Sequence, residues 1–364
     1  MKAVPGPFPL IVTAADPLSS ADFQFEGEAV CVPMVSSTGH GHASLKRVHY
    51  ASGQFAVANI ITALQAKPGV EVSMKWLWLY LDHSRDRIIV PLMKGTANVS
   101  LSQKALSTAS IQIPTLDEQR RIVDMIGALD DTIEAAIAQE QRMTALLDHL
   151  RDRPIPGEYV PVGSVLTSID SGVSTKPVDG PGEQANLLTL GAIRPGIFRA
   201  DLIKSVGAAQ LPEKARLHDG DLLITRSNTP EHVGYVARAR DVPENTFIPD
   251  LVWRLVPNHQ IVTSEYLEHL LSSPTYRARV TGIASGTSQS MRKINKTNFS
   301  SLKISLPSLE FQEEYVSPLR DVAESRAQAE QTVQTLRDLR SNLLTALLSG
   351  EHEIPESYDE LMEV

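Results

Sequence analysis

The stretch Ile113-Pro114-Thr115-Leu116-Asp117-Glu118-Gln119 occurs a second time, in altered form, as Leu306-Pro307-Ser308-Leu309-Glu310-Phe311-Gln312. The two copies are 193 residues apart. Further pairs of segments match in the same order at offsets of 193 and 191: residues 27–30 with 220–223, and residues 94–98 with 285–289. Several matches in order at nearly one offset indicate a duplicated unit.

Each copy of the unit has the same internal order. A strand-rich part comes first, with alternating or β-branched stretches at residues 28–35, 55–61, 221–225 and 232–237. A short helix follows, with Ser73 or Ser264 as the expected N-cap. A Gly-Thr loop, a strand ending at Pro114 or Pro307 and a long helix complete the unit. The sequence therefore predicts an α+β protein with two strand-rich domains.

The long helices have a heptad pattern. Apolar positions advance by four and three from Ile122 to Leu150, and only Glu140 interrupts them. The second copy runs from Tyr315 to Leu343 and is interrupted by Arg326 and Arg340. This period is typical of a left-handed coiled coil. The alternative is two independent amphipathic helices, each lying on its own domain.

An antiparallel arrangement of the two helices about a pseudo-two-fold axis would place Glu140 opposite Arg326. The acidic interruption would then meet a basic one, and we expect this pair to fix the helix register. The same register places Arg340 opposite Ile126, where the arginine has no predicted partner.

The charge of the chain is unevenly distributed. Of 364 residues, 42% are hydrophobic and 21% are charged, which is typical of a globular protein, and the net charge is −9. Residues 1–112 and 160–305 have net charges of +2 and +3, whereas residues 113–159 and 306–364 have −5 and −9. Two mildly basic domains therefore alternate with acidic segments, which is compatible with selective binding of nucleic acid.

The one cysteine, Cys31, excludes an internal disulfide and any zinc site with several cysteines. It lies in an apolar run, which favours a buried strand residue over a nucleophile. No apolar run reaches the length of a membrane span or of a secretory leader. We expect a cytoplasmic protein.

These features together resemble the specificity subunits of type I restriction–modification systems. The resemblance lies in five segments: residues 93–101, 113–123, 220–237, 306–316 and 343–351. It implies a first target-recognition domain at 1–112, a spacer helix at 113–153, a second recognition domain at 154–305, a second spacer helix at 306–350 and an acidic tail at 351–364 that frays. The two recognition domains would be separated by the antiparallel coiled-coil helices.

The resemblance also implies a function without catalysis. Members bind a bipartite double-stranded DNA site, one half per domain, and the helix pair sets the spacer. They recruit two copies of an adenine methyltransferase subunit, and then restriction subunits that translocate DNA. S-adenosylmethionine, ATP and Mg²⁺ would bind to those partners, and this chain would bind no cofactor.

The first domain departs from the family pattern. The second domain opens near Tyr159, well before its strand at residues 187–190, whereas only about eight residues precede the counterpart strand in the first domain. Some 25–30 residues of the first unit are missing, either because the start lies upstream or because this domain lacks its opening strand and helix.

The sequence contains no phosphate-binding loop, no methyltransferase signature and no dinucleotide fingerprint. His40 and His42 lie two residues apart in a glycine loop without nearby carboxylates, which is a weak metal-ligand set. The loop is a candidate for DNA contact, and incidental surface polarity is the remaining alternative. We predict no catalytic and no metal site.

Candidate DNA contacts are loop residues with side chains that bind bases or phosphates. In the second domain they are Arg226, Ser227, Asn228, Gln289, Ser290, Arg292, Lys293 and Lys296. In the first domain they are His40, His42, Lys46, Arg47, Lys94 and Asn98. The structural alternative is that Asn228 and Pro230 shape a turn and that the lysines lie on a solvated helix face.

Three other functions are compatible with parts of the sequence. A coiled-coil scaffold or regulator that never contacts DNA would also have acidic helices, and salt-dependent DNA binding would distinguish the two. An enzyme with an unfamiliar site would need carboxylates such as Asp219 and Asp221, which turn chemistry explains. A specificity subunit of a related phage-defence methyltransferase system would have the same features.

Overall fold

The computed structural model of the chain describes residues 4–38, 41–174, 184–207, 211–286, 291–349, 354–355 and 357–358. The chain divides into two compact units. Unit 1 comprises residues 1–136 and 332–364, and unit 2 comprises residues 137–331. Each unit contains one half of each long helix. Within the described ranges, no helix is both long and apolar enough to cross a membrane.

Unit 1 begins with strands and continues with helices. Its strands are β1 (Phe8–Ile11), β2 (Leu18–Ser20), β3 (Phe25–Glu26), β4 (Ala29–Pro33), β5 (His49–Ala51), β6 (Gln54–Val57) and β7 (Ile61–Leu64). Its helices are α1 (Met74–His83), α2 (Arg85–Ile88), α3 (Gln103–Leu106) and the first part of α4 (Leu116–Arg151), with a 3₁₀ turn at Val90–Leu92.

Unit 2 contains the end of α4 and a larger set of strands. These are β8 (Glu158–Pro161), β9 (Leu166–Ser171), β10 (Gln184–Leu188), β11 (Ile193–Arg194), β12 (Ile197–Phe198), β13 (Ile203–Gly207), β14 (Leu222–Thr225), β15 (Ser227–Asn228), β16 (Val236–Arg238), β17 (Thr246–Phe247), β18 (Val252–Pro257), β19 (Arg292–Lys293) and β20 (Lys303–Leu306). The helices are α5 (Ser264–Ser272), α6 (Pro274–Gly282), α7 (Lys296–Ser301) and α8 (Leu309–Ser349), which continues into unit 1.

The two units repeat the same strand topology. In unit 1, β1 pairs antiparallel with β2 and parallel with β6, and in unit 2, β10 pairs in the same two ways with β13 and β17. Similarly, β4 lies between β5 and β7, and β14 lies between β16 and β18, all antiparallel. The predicted α+β fold and the duplication are therefore confirmed.

A buried glutamine joins each long helix to its own unit. The side chain of Gln119 accepts a hydrogen bond from the Ser73 amide (2.6 Å) and donates to the carbonyls of Glu71 (3.2 Å) and Pro114 (2.9 Å). Gln312 accepts from the Thr263 amide and donates to the carbonyls of Ile261 and Pro307, at 2.9, 2.9 and 3.1 Å. Both side chains are fully buried. The repeated Pro-Leu-x-x-Gln-like stretch therefore forms the same junction twice.

Unit 2 has an opening segment for which the described part of unit 1 shows no counterpart. In unit 2, β8 pairs with β20, and β9 pairs with β18. In unit 1, residues 110–113 form no strand, and Ile113 is 46% exposed. The prediction of a strand ending at Pro114 is therefore wrong, because no described strand of unit 1 pairs with residues 110–113.

Several predicted boundaries change. The Ser73 hydroxyl caps α1 by accepting a hydrogen bond from the Trp76 amide, as predicted. The cap of α5 is Thr263, not Ser264, because the Thr263 hydroxyl accepts from the Tyr266 amide. The stretch 55–61 spans the end of β6 and the first residue of β7, and in the stretch 232–237 only the last two residues belong to a strand.

The long helices run antiparallel within each unit. In the core of unit 1, Ile122 and Ile126 of α4 belong to the same apolar cluster as Leu344 and Leu347 of α8. In the core of unit 2, Leu147 shares a cluster with Tyr315 and Leu319. Early residues of one helix thus meet late residues of the other. Ile122, Ile126, Leu147, Tyr315 and Leu319 are positions of the predicted heptad and are buried, whereas Leu344 and Leu347 lie beyond its last predicted position, Leu343.

Two single residues complete the cores. Cys31 is fully buried in β4, and burial raises the pKa of its thiol to about 12, which favours the structural interpretation of this cysteine. Ile354 is also buried and belongs to the core of unit 1. The expectation that the tail frays is therefore wrong at Ile354, because its apolar side chain is buried in the core of unit 1 and its amide donates to the Glu118 carboxylate at 3.5 Å.

Candidate nucleic-acid interface

Two loops of unit 2 that the sequence predicts separately as DNA contacts lie side by side. Strand β15 pairs antiparallel with β19, so that Ser227 faces Lys293 and Asn228 faces Arg292. The Ile294 amide donates to the Arg226 carbonyl at 2.9 Å, which extends the pairing by one residue. Main-chain hydrogen bonds therefore hold these candidate residues in one two-stranded ribbon.

The indole of Trp253 lies beneath this ribbon. The Arg226 guanidinium is 5.8 Å and the Lys296 ammonium 5.9 Å from the centroid of the Trp253 ring. Trp253 belongs to β18 and is 2% exposed. The Lys296 ammonium also donates to the Ile169 carbonyl at 2.5 Å. Cation–π contact with a buried indole holds both positive charges at the same place.

A pocket of about 340 Å³ opens beside the ribbon. It is lined by Ser171, Arg226, Trp253, Ser285, Lys293, Ile294, Asn295 and Lys296. Three of these described lining residues are basic and none is acidic. Such a lining favours an anionic group, because positive charges in a concave site reinforce one another.

Three polar atoms at the ribbon are buried without a hydrogen-bond partner among the described residues: Arg226 Nε, Ser227 Oγ and Trp253 Nε1. An unsatisfied buried polar atom costs about 1–3 kcal/mol. Such atoms are uncommon in folded proteins, and a water or a ligand that completes the hydrogen bonding is one explanation for them. Their position next to the basic pocket supports a binding role for the ribbon.

Asn228 also has the structural role that the sequence suggested. Its side-chain oxygen accepts a hydrogen bond from the Thr229 amide at 2.9 Å, which shapes the turn after β15. The Arg292 guanidinium lies 3.4 Å from the Ala284 carbonyl. Gln289 and Ser290, which the sequence places in this region, lie outside the described residues.

The counterpart region of unit 1 has the same main-chain pattern with different side chains. The Ser36 amide donates to the Val99 carbonyl at 3.0 Å, and Val35 bridges to Ser100. Lys94 exchanges two main-chain hydrogen bonds with Ser100, as Ser285 does with Lys293 in unit 2. The ribbon position that is Lys293 in unit 2 is therefore occupied by Ser100 in unit 1.

The candidate DNA contacts of unit 1 differ in exposure. His42, Lys46, Lys94 and Asn98 are exposed, and Arg47 is half-buried. His40 lies outside the described residues. No group of three or more His, Cys, Asp or Glu side chains in the described ranges could hold a metal ion.

The helix residues that interrupt the heptad pattern are close to charged neighbours. Arg326 is buried, and its pKa is lowered by burial first and by the charge of Arg151 next, while Glu330 and Glu140 act in the opposite direction. The register role of Glu140 and Arg326 remains a prediction. Arg340 binds Asp130, one helical turn beyond Ile126.

A sequence profile described as "Type I restriction modification DNA specificity domain" matches residues 17–141 and 176–335. The matched segments include most of both strand-rich parts and most of both long helices. The chain belongs to this family. As a type I specificity subunit, it has two copies of the family's recognition unit, in agreement with the duplicated topology.

Two known proteins are similar to this specificity subunit. The type I restriction enzyme EcoEI specificity subunit of Escherichia coli is 24% identical over 198 residues, which are 53% of this chain and 33% of that protein. The chain thus matches about one third of the length of this relative. The crystal structure of the type I restriction–modification system S subunit from M. genitalium is 14% identical, with a TM-score of 0.53 over 95% of this chain and 90% of that chain. That similarity shows a shared fold.

Sequence reasoning missed Trp253. The alternating pattern of β18 predicts that Trp253 is a strand residue. It does not predict that two cationic side chains lie next to the indole ring. That relation depends on the pairing of residues far apart in the chain.

Proposed function

We propose that this chain is the non-catalytic DNA sequence-recognition subunit of a type I restriction–modification complex and that the β15–β19 ribbon reads one half of a bipartite site. The observation that supports this most directly is the basic ribbon, in which Arg292 and Lys293 lie on β19 and Arg226 directly precedes β15, next to a pocket without acidic lining residues. A two-stranded ribbon is narrow enough to enter the major groove of B-DNA.

The division of labour within the ribbon follows from side-chain chemistry. Arg226 is the residue suited to a bidentate contact with a guanine edge, whereas Lys293 and Lys296 are suited to phosphates. Ser227 and Asn228 have short polar side chains that can donate to or accept from either type of group. Unit 1 would read the other half with His42, Lys46, Arg47, Lys94 and Asn98.

The partners belong to the same proposal. Two methyltransferase subunits would modify adenines in the two halves of the site with S-adenosylmethionine, and restriction subunits would use ATP and Mg²⁺. A fixed distance between two weak half-site contacts raises the affinity for the bipartite site through effective concentration. The acidic long helices are then a spacer and docking element, not a DNA-binding surface.

The test is to express the full chain with the methyltransferase subunit from its own locus and to map adenine methylation across the host genome. We expect one bipartite motif that depends on this chain. Arg226→Ala should relax one half of the motif, by about 1–3 kcal/mol if the arginine contacts a guanine with two hydrogen bonds. Lys204→Ala removes an exposed basic side chain outside the pocket and should leave the motif unchanged.

The methylation experiment has three distinguishable outcomes. A motif with two defined halves supports the proposal, and a motif with one defined half shows that unit 1 does not read DNA. A stable complex with no methylation and no salt-dependent DNA binding would instead support the scaffold function.

A further inference from the structure

One arginine in each unit donates to the main chain of the loop that connects the central strand with its neighbour. In unit 2 the loop is residues 226–235, between β14 and β16. Arg277 of α6 donates from Nη1 to the Val233 carbonyl and from Nη2 to the Glu231 carbonyl, each at 2.8 Å. Its guanidinium also lies 4.3 Å from the centroid of the Tyr235 ring.

Two further contacts fix the same loop. The Thr225 hydroxyl donates to the His232 carbonyl at 2.8 Å and accepts from the Tyr235 amide at 2.9 Å. Gly234 has a φ of +75°, and a Cβ at this position would lie 2.2 Å from Val280 Cγ1 of α6. The loop therefore lies directly against α6, and Arg277 of the same helix is hydrogen-bonded to it.

Unit 1 has the equivalent contact on the loop between β4 and β5. Arg85 of α2 donates from Nε to the Leu45 carbonyl at 2.8 Å and from Nη1 to the Asp82 carbonyl at 2.5 Å. The Asp82 carboxylate accepts from the Val48 amide at 2.7 Å. Leu45 and Val233, whose carbonyls accept these bonds, are both buried.

The two arginines also have equivalent places in the chain. Each lies on the second helix of a consecutive pair, α1–α2 or α5–α6, and each binds the loop that follows the central strand of its sheet. Both are only partly exposed. The two units have few identical residues, so the recurrence of this contact at the same topological place indicates a shared structural role.

We propose that Arg85 and Arg277 are positioning residues that hold the two DNA-reading loops in the conformation that contacts the bases. This inference rests on the proposed DNA-reading function. Neither guanidinium needs to contact DNA. Arg277 fixes two loop carbonyls and Arg85 fixes one, so that the side chains of residues 226–229 in unit 2, and of Lys46 and Arg47 in unit 1, are presented in one arrangement. A loop ordered before binding loses less conformational freedom on binding.

Lysine cannot replace arginine in this role. The two Arg277 hydrogen bonds diverge from one planar group to two carbonyls, whereas an ammonium group is a single point donor on a flexible stem. Arg85 likewise uses Nε and Nη1 for two different carbonyls. The charge alone is therefore insufficient.

The experiment uses the full chain with its methyltransferase subunit. We would measure methylation rates on cognate DNA and on DNA with one mismatch in either half-site, for Arg277→Gln, Arg277→Lys and Arg85→Gln. Arg279→Gln and Arg87→Gln are matched controls, because these exposed arginines lie on the same helices two residues further on. Thermal melting of each complex is measured in parallel.

We expect Arg277→Gln and Arg277→Lys to reduce discrimination against mismatches in one half-site about tenfold, with little change in the other half. Arg85→Gln should have the same effect on the opposite half, and both controls should discriminate as the unsubstituted chain does. A variant that loses discrimination in both halves equally, or a full rescue by Arg277→Lys, would overturn the proposal.

The outcomes separate this inference from the proposed function. If the unsubstituted chain directs no bipartite methylation, the proposed function fails. If it does so and Arg277→Gln discriminates normally, only the positioning role is refuted. If the complex with Arg277→Gln melts below the assay temperature, the discrimination of Arg277→Lys tests the positioning role instead. Arg277→Lys is the milder substitution because it retains the positive charge next to the Tyr235 ring.

Discussion

Arg340 and Asp130 form a two-point ion pair within unit 1. Arg340 Nε lies 2.5 Å from Asp130 Oδ1, and Nη2 lies 2.8 Å from Oδ2. The side chains are 26% and 40% exposed. Arginine on a heptad seam is therefore accommodated by a carboxylate on the facing helix, and hydrogen bonding to Asp130 raises the pKa of Arg340.

We expect the Arg340–Asp130 pair to stabilise unit 1 modestly. Paired planar groups favour the interaction, but solvent screens it because both side chains are partly exposed. A double-mutant cycle with Arg340→Gln and Asp130→Asn should give a coupling of about 0.5–1 kcal/mol in the free energy of unfolding, measured in urea. Arg337→Gln, at an exposed position on the same helix, should show no coupling to Asp130→Asn.

The amides of residues 110–113 should exchange with solvent much faster than those of residues 303–306. The latter form β20 and pair with β8, whereas no described strand pairs with the former. Hydrogen exchange measured by mass spectrometry should show a difference of at least about a hundredfold, because exchange from a paired strand requires local opening. Equal protection of the two segments would mean that another part of the chain pairs with residues 110–113.

The salt dependence of DNA binding should report phosphate contacts by the ribbon. Each phosphate contact that is lost should reduce the slope of log K against log salt concentration by about 0.9. We therefore expect this reduction for Lys293→Ala and again for Lys296→Ala, measured on the complex by fluorescence anisotropy. Lys303→Ala, on β20 and outside the pocket, is the control. An unchanged slope in both pocket variants would exclude phosphate contact there.

His269 should make unit 2 less stable in mild acid. Burial, and next the charge of Arg151, lower the pKa of its imidazole to about 3, against an ordinary value of 6.5. Between these two values the unfolded chain binds a proton that the folded chain does not, so the free energy of unfolding falls as the pH falls.

The measurement is urea unfolding at two pH values. From pH 7.5 to 5.5 we expect His269 to account for a loss of about 1 kcal/mol. His269→Gln should remove this part of the pH dependence while leaving the remainder. A variant with the same pH profile as the unsubstituted chain would show that other groups are responsible.

The sequence predicted the duplicated unit, the long helices and the strand-rich parts because these are local or periodic signals. It also named Arg226, Arg292 and Lys293 as candidate DNA contacts. It did not reveal that Ser227 and Lys293 are paired neighbours, because strand pairing between distant segments has no local signature. The stretch before Pro114 resembles that before Pro307, yet only the latter is a strand, since a strand needs a partner as well as a suitable sequence.

The hydrogen bonds of Gln119 and Gln312 all go to main-chain atoms, so the junction they form places no demand on the side chains at those positions. The bonded residues can change from Ser73 to Thr263, or from Glu71 to Ile261, without loss of a bond. A genetic crossover just beyond either glutamine codon would transfer a strand-rich domain together with its own joint to the helix. Recombination could then exchange recognition domains between related genes in one step, without compensating mutations at the junction between domain and helix.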